Sequence, residues 1–139
     1  LLFSKSSAIY KTLYEKGLIN DSFGADYECH EEYAFACLIG ESKDPHAVRD
    51  IVWDMLQKQA VTEEEYERAR KVVWGNYVRL FNSTEAIGYN FVLHHLTGID
   101  YFNFRQVYDA VTLDDVRARK ASGFDVKKSA LSVVSGEQA

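Results

Sequence analysis

The sequence predicts an α+β domain that contains an antiparallel sheet, and three observations indicate this fold class. Residues 22–30 alternate between apolar and polar side chains, and residues 33–40 are a run of small and apolar ones, as in paired strands. Residues 62–96 carry apolar side chains at the 3.6-residue period of a helix. The chain has 139 residues, enough for one core, so we expect residues 1–139 to form a single domain.

The first element is a predicted helix within residues 1–16, where Ile9, Tyr10 and Leu13 follow helical spacing. One of the serines at positions 4, 6 and 7 can cap its start. Gly17 is a natural stop, because glycine readily adopts the left-handed conformation that ends a helix.

The two strands are predicted to form a hairpin with a two-residue turn at Glu31-Glu32. In that register Cys29 faces Ala34, which puts Cys37 on the opposite face of the sheet and disfavours a disulfide between the two cysteines. We therefore expect two buried free thiols. Free thiols suit a reducing compartment, so we expect a cytoplasmic protein.

The later elements are predicted from their boundary residues. Asp44 before Pro45 is typical of a helix start, and Thr62 with Glu65 forms a capping box. The long helical run is expected to break near Asn82-Ser83. The remaining signals are Gly98 as a stop, Asp100 and Thr112 as starts of short helices, and residues 129–134 as a closing strand.

The composition is that of a globular protein with a formal net charge of −5. This charge argues against nucleic acid and anionic membranes as partners. No apolar run approaches the roughly 20 residues that a membrane-spanning helix needs. We therefore expect neither a nucleic-acid nor a membrane partner.

The histidines predict no zinc site in this chain, because zinc sites in peptidases need two histidines that reach one ion, plus a third ligand. His30 has no second histidine at a useful spacing and lies in the hairpin. His94 and His95 point about 100° apart on a helix, so we expect one to pack and the other to be exposed. His46 is expected at the surface.

No activated nucleophile is indicated either, because acidic residues rather than basic ones surround the two cysteines.

A group of basic residues on the long helix has two interpretations, a solvated surface or a partner contact. Its members are Arg68, Arg70, Lys71 and Arg79.

Six segments carry a family resemblance whose order and spacing cover nearly the whole chain. They are residues 2–7 (LFSKSS), 13–23 (LYEKGLINDSF), 62–71 (TEEEYERARK), 80–85 (LFNSTE), 96–98 (LTG) and 111–116 (VTLDDV). Together they resemble the C-terminal, non-zinc-binding domain of the pitrilysin (insulinase-like) zinc metallopeptidases. Residues 3–23 look closest to a bacterial branch of processing-protease-like proteins.

The resemblance implies a LuxS/pitrilysin-like fold, in which helices pack on one side of an antiparallel sheet. It implies a domain that is incomplete at its N-terminal end, since the chain starts at Leu1 in apolar sequence, and thus a fragment of a longer protein. The zinc of such a peptidase is then held outside this chain, by an N-terminal zinc-binding domain or a companion subunit with a His-x-x-Glu-His motif. We expect this chain to bind no zinc and to contribute no catalytic residue.

The resemblance also points to substrate-binding positions. In many members an arginine and a following tyrosine of the C-terminal domain hold the peptide near the zinc. Aligned on Gly17, these positions fall at Tyr14 and near Asn20 or Asp21, so neither family residue is present. The candidate substrate-binding residues of this chain are therefore Tyr14, Asn20 and Tyr27.

Three functions remain open at this stage. The first is a substrate-enclosing domain of a zinc-dependent peptidase that closes a chamber around an extended peptide. The second is a non-catalytic subunit or interaction partner in a pitrilysin-like heterodimer, which the missing arginine and tyrosine favour. The third is an unrelated structural module that uses aromatic surfaces for protein contacts. Self-association of the chain, as a homo-oligomer, is also expected.

Overall fold

The computed structural model describes residues 1–30 and 32–136, and within them it has helices and one antiparallel sheet. The predicted α+β class is thus confirmed. The α-helices are α1 (Ala8–Glu15), α2 (Pro45–Lys58), α3 (Glu63–Leu80), α4 (Thr84–Leu96), α5 (Phe104–Ala110) and α6 (Leu113–Gly123). The strands are β1 (Gly24–Cys29) and β2 (Ala34–Ile39), and 3₁₀ turns lie at Tyr101–Asn103 and Val126–Lys128.

The chain divides into two compact units. Unit 1 contains Leu1–Gln59 and the segment that begins at Phe124, and unit 2 is Ala60–Gly123. The expectation that residues 1–139 form a single domain stays a prediction.

The core of unit 1 forms where α1 packs against α2. Helix α1 begins after Ser7, whose Oγ accepts a hydrogen bond from the backbone N–H of Tyr10 at 3.1 Å. It is followed by Gly17 at a φ of 66°, so the predicted cap and stop are both confirmed. The buried side chains of this core are Ile9, Tyr10, Leu13, Ile19, Phe23, Val52 and Leu56.

The hairpin has the predicted register, with Cys29 opposite Ala34. Of the predicted turn residues, Glu31 lies outside the described part of the chain. At the base of the hairpin, a Cβ added to Gly40 would lie 2.9 Å from the Cα of Phe23, so only glycine allows this close approach. The strand residues themselves are exposed, except for Cys37, which is half-buried.

Two expectations for unit 1 are wrong. Cys29 is exposed and Cys37 is only half-buried, so the two free thiols are not buried as expected. The reason is that, among the described residues, neither face of the hairpin is well covered. Residues 129–134 form no strand, because no described strand pairs with them.

Unit 2 is built from helices whose predicted caps are present. In the capping box of α3, Thr62 Oγ1 accepts from the N–H of Glu65, and the Glu65 carboxylate accepts from the N–H of Thr62 at 3.0 Å. Ser83 caps α4 by accepting from the N–H of Ala86 at 3.1 Å, which confirms the break after α3. These local hydrogen bonds satisfy backbone donors that would otherwise lack partners at the helix starts.

The start of α6 has a similar capping arrangement to that of α3, in which an aspartate takes the place of the glutamate. Asp115 Oδ2 accepts hydrogen bonds from the side chain and the backbone N–H of Thr112, at 2.6 and 2.8 Å. These hydrogen bonds hold the pKa of Asp115 below its ordinary value, because they favour the ionised carboxylate.

Two glycines of unit 2 differ in whether their backbone conformation requires glycine, and this difference can be tested. Gly98 follows α4 at a φ of 73°, whereas Gly88 lies inside α4, and an added Cβ would meet nothing within 4 Å at either position. We predict that Gly98→Ala destabilises unit 2 by about 1 kcal/mol through backbone strain. We predict that Gly88→Ala stabilises it by up to about 1 kcal/mol through helix propensity.

Urea unfolding followed by Trp74 fluorescence, in a Trp53→Phe background, measures both changes. Trp53 is the only other tryptophan of the chain, so the signal then reports on unit 2. If both substitutions changed the free energy of unfolding by the same amount and in the same direction, the conformations assigned to Gly88 and Gly98 would be contradicted.

Candidate functional site

The three candidate substrate-binding residues lie on three different elements of unit 1. Tyr14 is in the last turn of α1, Asn20 lies between α1 and β1, and Tyr27 is in the middle of β1. The side chains of Tyr14 and Tyr27 are each about half exposed, at 51% and 52%. Their role in substrate binding stays a prediction.

Asn20 is the centre of a hydrogen-bond network that holds the hairpin base. Its Oδ1 accepts from the backbone N–H of Ser22 at 2.9 Å and from the Ser22 hydroxyl, while its Nδ2 donates to the carboxylate of Glu41 at 3.0 Å. Ser22 Oγ in turn accepts from the N–H of Glu41 at 3.2 Å. Asn20 therefore joins the two ends of the hairpin, a positional role that its sequence position alone does not reveal.

Tyr14 stacks on the buried Tyr10, with ring centroids 5.9 Å apart. The hydroxyl of Tyr10 donates to the carboxylate of Asp21 at 3.5 Å, and the ammonium of Lys5 lies 3.2 Å from the same carboxylate. Hydrogen bonding to Asp21 raises the pKa of Lys5. Asp21, one of the two positions near which the family tyrosine aligns, thus carries a carboxylate with partners in this chain.

The hairpin presents side chains of opposite character on its two strands. On one face, β2 carries Phe35, Cys37 and Ile39, and β1 carries Asp26 and Glu28. Just beyond the strands, the ring of Tyr33 lies 4.8 Å from that of His30 and 6.2 Å from that of Phe35. The exposed surface of the hairpin is therefore both aromatic and acidic.

In unit 2 the most elaborate cluster surrounds Arg70 on α3. Its guanidinium carbon lies 4.4 Å from the ring centre of Tyr108 and 5.5 Å from that of Tyr66, and its Nη1 donates to the Tyr66 hydroxyl at 2.8 Å. The Tyr66 hydroxyl donates onward to the carbonyl oxygen of Val111 at 2.6 Å. Hydrogen bonding with Tyr66, and then with Tyr108, raises the pKa of Arg70 above its ordinary value.

This cluster corrects the interpretation of Arg70 as either a solvated charge or a partner contact. Its side chain is only 26% exposed and joins α3 to α5 and to the segment before α6. The sequence signal was present: Arg70 follows Tyr66 by one helical turn and so shares its face. Arg68 behaves as expected for a surface residue, with its Nη1 3.9 Å from the Glu64 carboxylate.

Helix α4 carries a surface that we call the α4 apolar surface, and no residue of this helix is buried in the described structure. Leu96 is 78% exposed and Tyr89 is 69% exposed. The surface consists of Tyr89, Val92, Leu93 and Leu96, which share one face of the helix. A helix that is apolar on several sides is typical of a buried environment, and a large exposed apolar patch marks an interaction site.

The histidine side chains of α4 divide as expected. His94 is half-buried, its Nδ1 lies 2.7 Å from the carbonyl oxygen of Asn90, and its ring lies 5.2 Å from that of Tyr101. His95 is exposed and stacks on Phe91 at 5.8 Å. The prediction that one packs and one is exposed is confirmed.

The described residues do not fit a zinc ion. Across residues 1–30 and 32–136, no three His, Cys, Asp or Glu side chains gather closely enough to hold a metal. His30 Nε2 lies 3.9 Å from the Glu28 carboxylate, with no further ligand type beside them in this part of the chain.

In the same residues, no helix combines the length and apolar character required to cross a bilayer.

The fold has a counterpart among solved structures. The chain superposes on the crystal structure of an M16-like peptidase from Alicyclobacillus acidocaldarius with a TM-score of 0.78 and 24% sequence identity. The match covers 86% of this chain and 30% of that protein. No protein-family model matches the chain.

A curated relative agrees with this fold. The chain is 33% identical over 118 residues to the uncharacterised zinc protease YmfH of Bacillus subtilis strain 168. The match covers 84% of the chain, but the chain spans only 28% of that relative. The two likenesses confirm the resemblance to the pitrilysin-like (M16) zinc peptidases, and the chain spans less than a third of the length of either matched protein.

Two tyrosine hydroxyls of unit 2 differ in their hydrogen bonding, and the effect of this difference on stability can be measured. The Tyr66 hydroxyl is bonded as described above, whereas the buried Tyr101 hydroxyl has no hydrogen-bond partner among the described residues, and burial raises its pKa. We predict that Tyr66→Phe destabilises unit 2 by about 1 kcal/mol. Tyr101→Phe is expected to be neutral or stabilising, because it removes a buried unpaired hydroxyl.

The measurement is urea unfolding in the same Trp53→Phe background. Each substitution removes one oxygen atom from a tyrosine that is 6–7% exposed, so the two variants are matched controls for each other. A Tyr101→Phe variant that is destabilised as much as Tyr66→Phe would contradict the assignment of these hydroxyls.

Proposed function

We propose that this chain is part of the substrate-enclosing, C-terminal domain of a zinc-dependent peptidase and that it carries no catalytic residue itself. The observation that carries this proposal is the α4 apolar surface, exposed in a chain that spans less than a third of its peptidase relatives. Apolar surface of this kind is stable when another protein surface covers it. In a pitrilysin-like peptidase, the rest of the protein would supply that covering surface.

In this proposal the partner is an N-terminal zinc-binding domain or a companion subunit, and the substrate is a peptide held in extended form. Zinc bound by that partner would supply a metal-activated water for attack on a peptide carbonyl. The residues of this chain would hold and orient the peptide. Tyr14 and Tyr27 offer half-exposed rings for this purpose, and Asn20 fixes the hairpin that presents Tyr27.

A second function, a non-catalytic subunit of a pitrilysin-like heterodimer, is favoured by one observation. The positions at which many family members have a substrate-binding arginine and tyrosine hold Tyr14 and Asn20 or Asp21 here, and Asn20 and Asp21 are engaged in contacts inside unit 1. The compartment proposed for either function is the cytoplasm.

Zinc content and peptide cleavage separate the two functions. If this chain belongs to the substrate-enclosing domain of an active peptidase, we predict that the full-length polypeptide that carries this sequence contains one zinc per active site. We also predict that it cleaves peptides in a chelator-sensitive manner. The isolated 139-residue chain is expected to bind no stoichiometric zinc, because its described residues gather no ligand set.

Metal analysis and a mass-spectrometric peptide-cleavage assay are the measurements, and the isolated chain is the control. Zinc with cleavage supports the substrate-enclosing domain. A folded full-length polypeptide with neither zinc nor cleavage supports the non-catalytic subunit, whose zinc-binding companion is then a separate chain. If the isolated chain bound one zinc tightly, both candidate functions would be overturned, because each assigns the zinc to a partner.

A further inference from the structure

Helix α5 lacks most of what usually holds a helix in place. It has seven residues, none of which is buried, and Asn103 before it makes no side-chain cap hydrogen bond. An isolated helix shorter than about 12 residues is marginal in water, because its first turn is costly to form. Contacts with the rest of unit 2 therefore keep α5 folded.

Two aromatic rings of α5 make its contacts with the rings of α3. The Phe104 ring stacks on that of Tyr77, with centroids 4.1 Å apart, and the Tyr108 ring lies 5.3 Å from that of Trp74. Phe104 and Tyr108 are both half-buried, whereas Val107 is 58% exposed in the described structure. Helix α5 thus covers aromatic side chains of α3 but has no fully buried side chain of its own.

The polar contacts between α3 and α5 converge on Arg70. Its guanidinium carbon lies 4.4 Å from the ring centre of Tyr108, and its Nη2 lies 3.8 Å from the Asp109 carboxylate. In return, the Tyr108 hydroxyl donates to the backbone carbonyl oxygen of Arg70 at 3.2 Å. One residue of α3 therefore contacts α5 through both its side chain and its main chain.

The C-terminal end of α5 is held by the same guanidinium. Arg70 Nη1 and the Tyr66 hydroxyl both donate to the carbonyl oxygen of Val111, at 3.3 and 2.6 Å. The N–H of Val111 donates to the carbonyl oxygen of Val107 at 3.1 Å, so Val111 also closes the last turn of α5. Because Arg70 donates to the Tyr66 hydroxyl as well, loss of the guanidinium would weaken both contacts on the Val111 carbonyl.

The helix beneath α5 is better fixed. Helix α3 has 18 residues, a complete capping box at Thr62 and the buried side chain of Tyr66. Elements with few buried apolar contacts open locally at a lower free-energy cost than the elements on which they pack. The two helices are therefore expected to differ in local stability although they are in contact.

We propose that α5 is a strap that opens away from α3 while the rest of unit 2 stays folded, and that Arg70 is the latch that keeps it closed. The strap consists of residues 104–111. Its opening breaks the ring contacts of Phe104 and Tyr108 and uncovers the aromatic side chains of α3. All of these contacts lie inside unit 2, so the strap does not depend on the proposed function.

A lysine could not provide the same latch. The planar fork of a guanidinium can lie on a tyrosine ring and donate to two oxygens at once, whereas an ammonium is a compact, strongly hydrated point charge. Arg70→Lys therefore keeps the charge of the chain and changes the geometry of the latch. Arg68→Lys is the matched control, because Arg68 lies on the same helix and approaches the carboxylate of Glu64, at 3.9 Å.

Amide hydrogen exchange of the full 139-residue chain, followed for each residue by NMR, measures the opening. The N–H groups of residues 108–111 are those that hydrogen-bond within α5. We expect them to exchange at least about tenfold faster than the amides in the middle of α3. We also expect their exchange to change little with urea below the unfolding transition, because opening of the strap exposes little surface.

Three variants test the latch by the same measurement. Arg70→Lys is expected to speed exchange of residues 108–111 by about tenfold, through loss of charge-assisted hydrogen bonds and of the stacking on Tyr108. Arg68→Lys is expected to change this exchange by less than about twofold. Tyr66→Phe removes the hydroxyl between Arg70 and Val111 and is expected to speed it by about fivefold.

Two kinds of result would overturn the proposal. If residues 108–111 exchanged with the rate and urea dependence of the α3 amides, α5 would open only when the whole unit unfolds. If Arg70→Lys and Arg68→Lys had equal effects, or if Tyr66→Phe had none, Arg70 would not be the latch. The urea dependence of the unmodified chain and the Tyr66→Phe variant decide both points even if Arg70→Lys does not fold.

Discussion

The structure depends on one constraint: the chain carries more apolar surface than its two small cores bury. In unit 1 the core closes around Leu13, and in unit 2 aromatic rings around Tyr77 take the place of a large aliphatic core. The α4 apolar surface and the apolar strand β2 remain in contact with water. Each Å² of such surface favours burial by about 25 cal/mol. We propose that the remainder of a pitrilysin-like peptidase covers this surface.

The element boundaries could be predicted from the sequence because their causes are local. Ser7 and the Thr62–Glu65 pair satisfy helix N–H groups within three residues of themselves, and Gly17 and Gly98 adopt a conformation that other residues avoid. The hairpin register followed from the side-chain alternation of its strands and the length of its turn. None of these features requires knowledge of what packs against the element.

Burial could not be predicted in the same way, because it depends on which surface covers an apolar residue. Val73 is one of the apolar residues that follow helical spacing in residues 62–96, yet it is 47% exposed, whereas Arg70 packs between two tyrosine rings. The thiols of Cys29 and Cys37 were expected in a core that the described residues do not provide around them. Family alignment located Asn20 as a candidate but could not show its hydrogen bonds across the hairpin base, which join residues about twenty positions apart.

Hydroxyl-radical footprinting can measure whether a peptidase partner covers the α4 apolar surface, as we propose. The oxidation rates of Tyr89 and Leu96 would be compared between the 139-residue chain alone and the polypeptide or complex that contains the zinc-binding part. Buried Tyr66 serves as the internal reference, since it is 7% exposed in the chain alone. We expect strong oxidation of Tyr89 and Leu96 in the chain alone, at a concentration at which it is monomeric, and protection in the larger assembly. Equal oxidation in both would show that the surface stays exposed and would contradict its coverage by a peptidase partner.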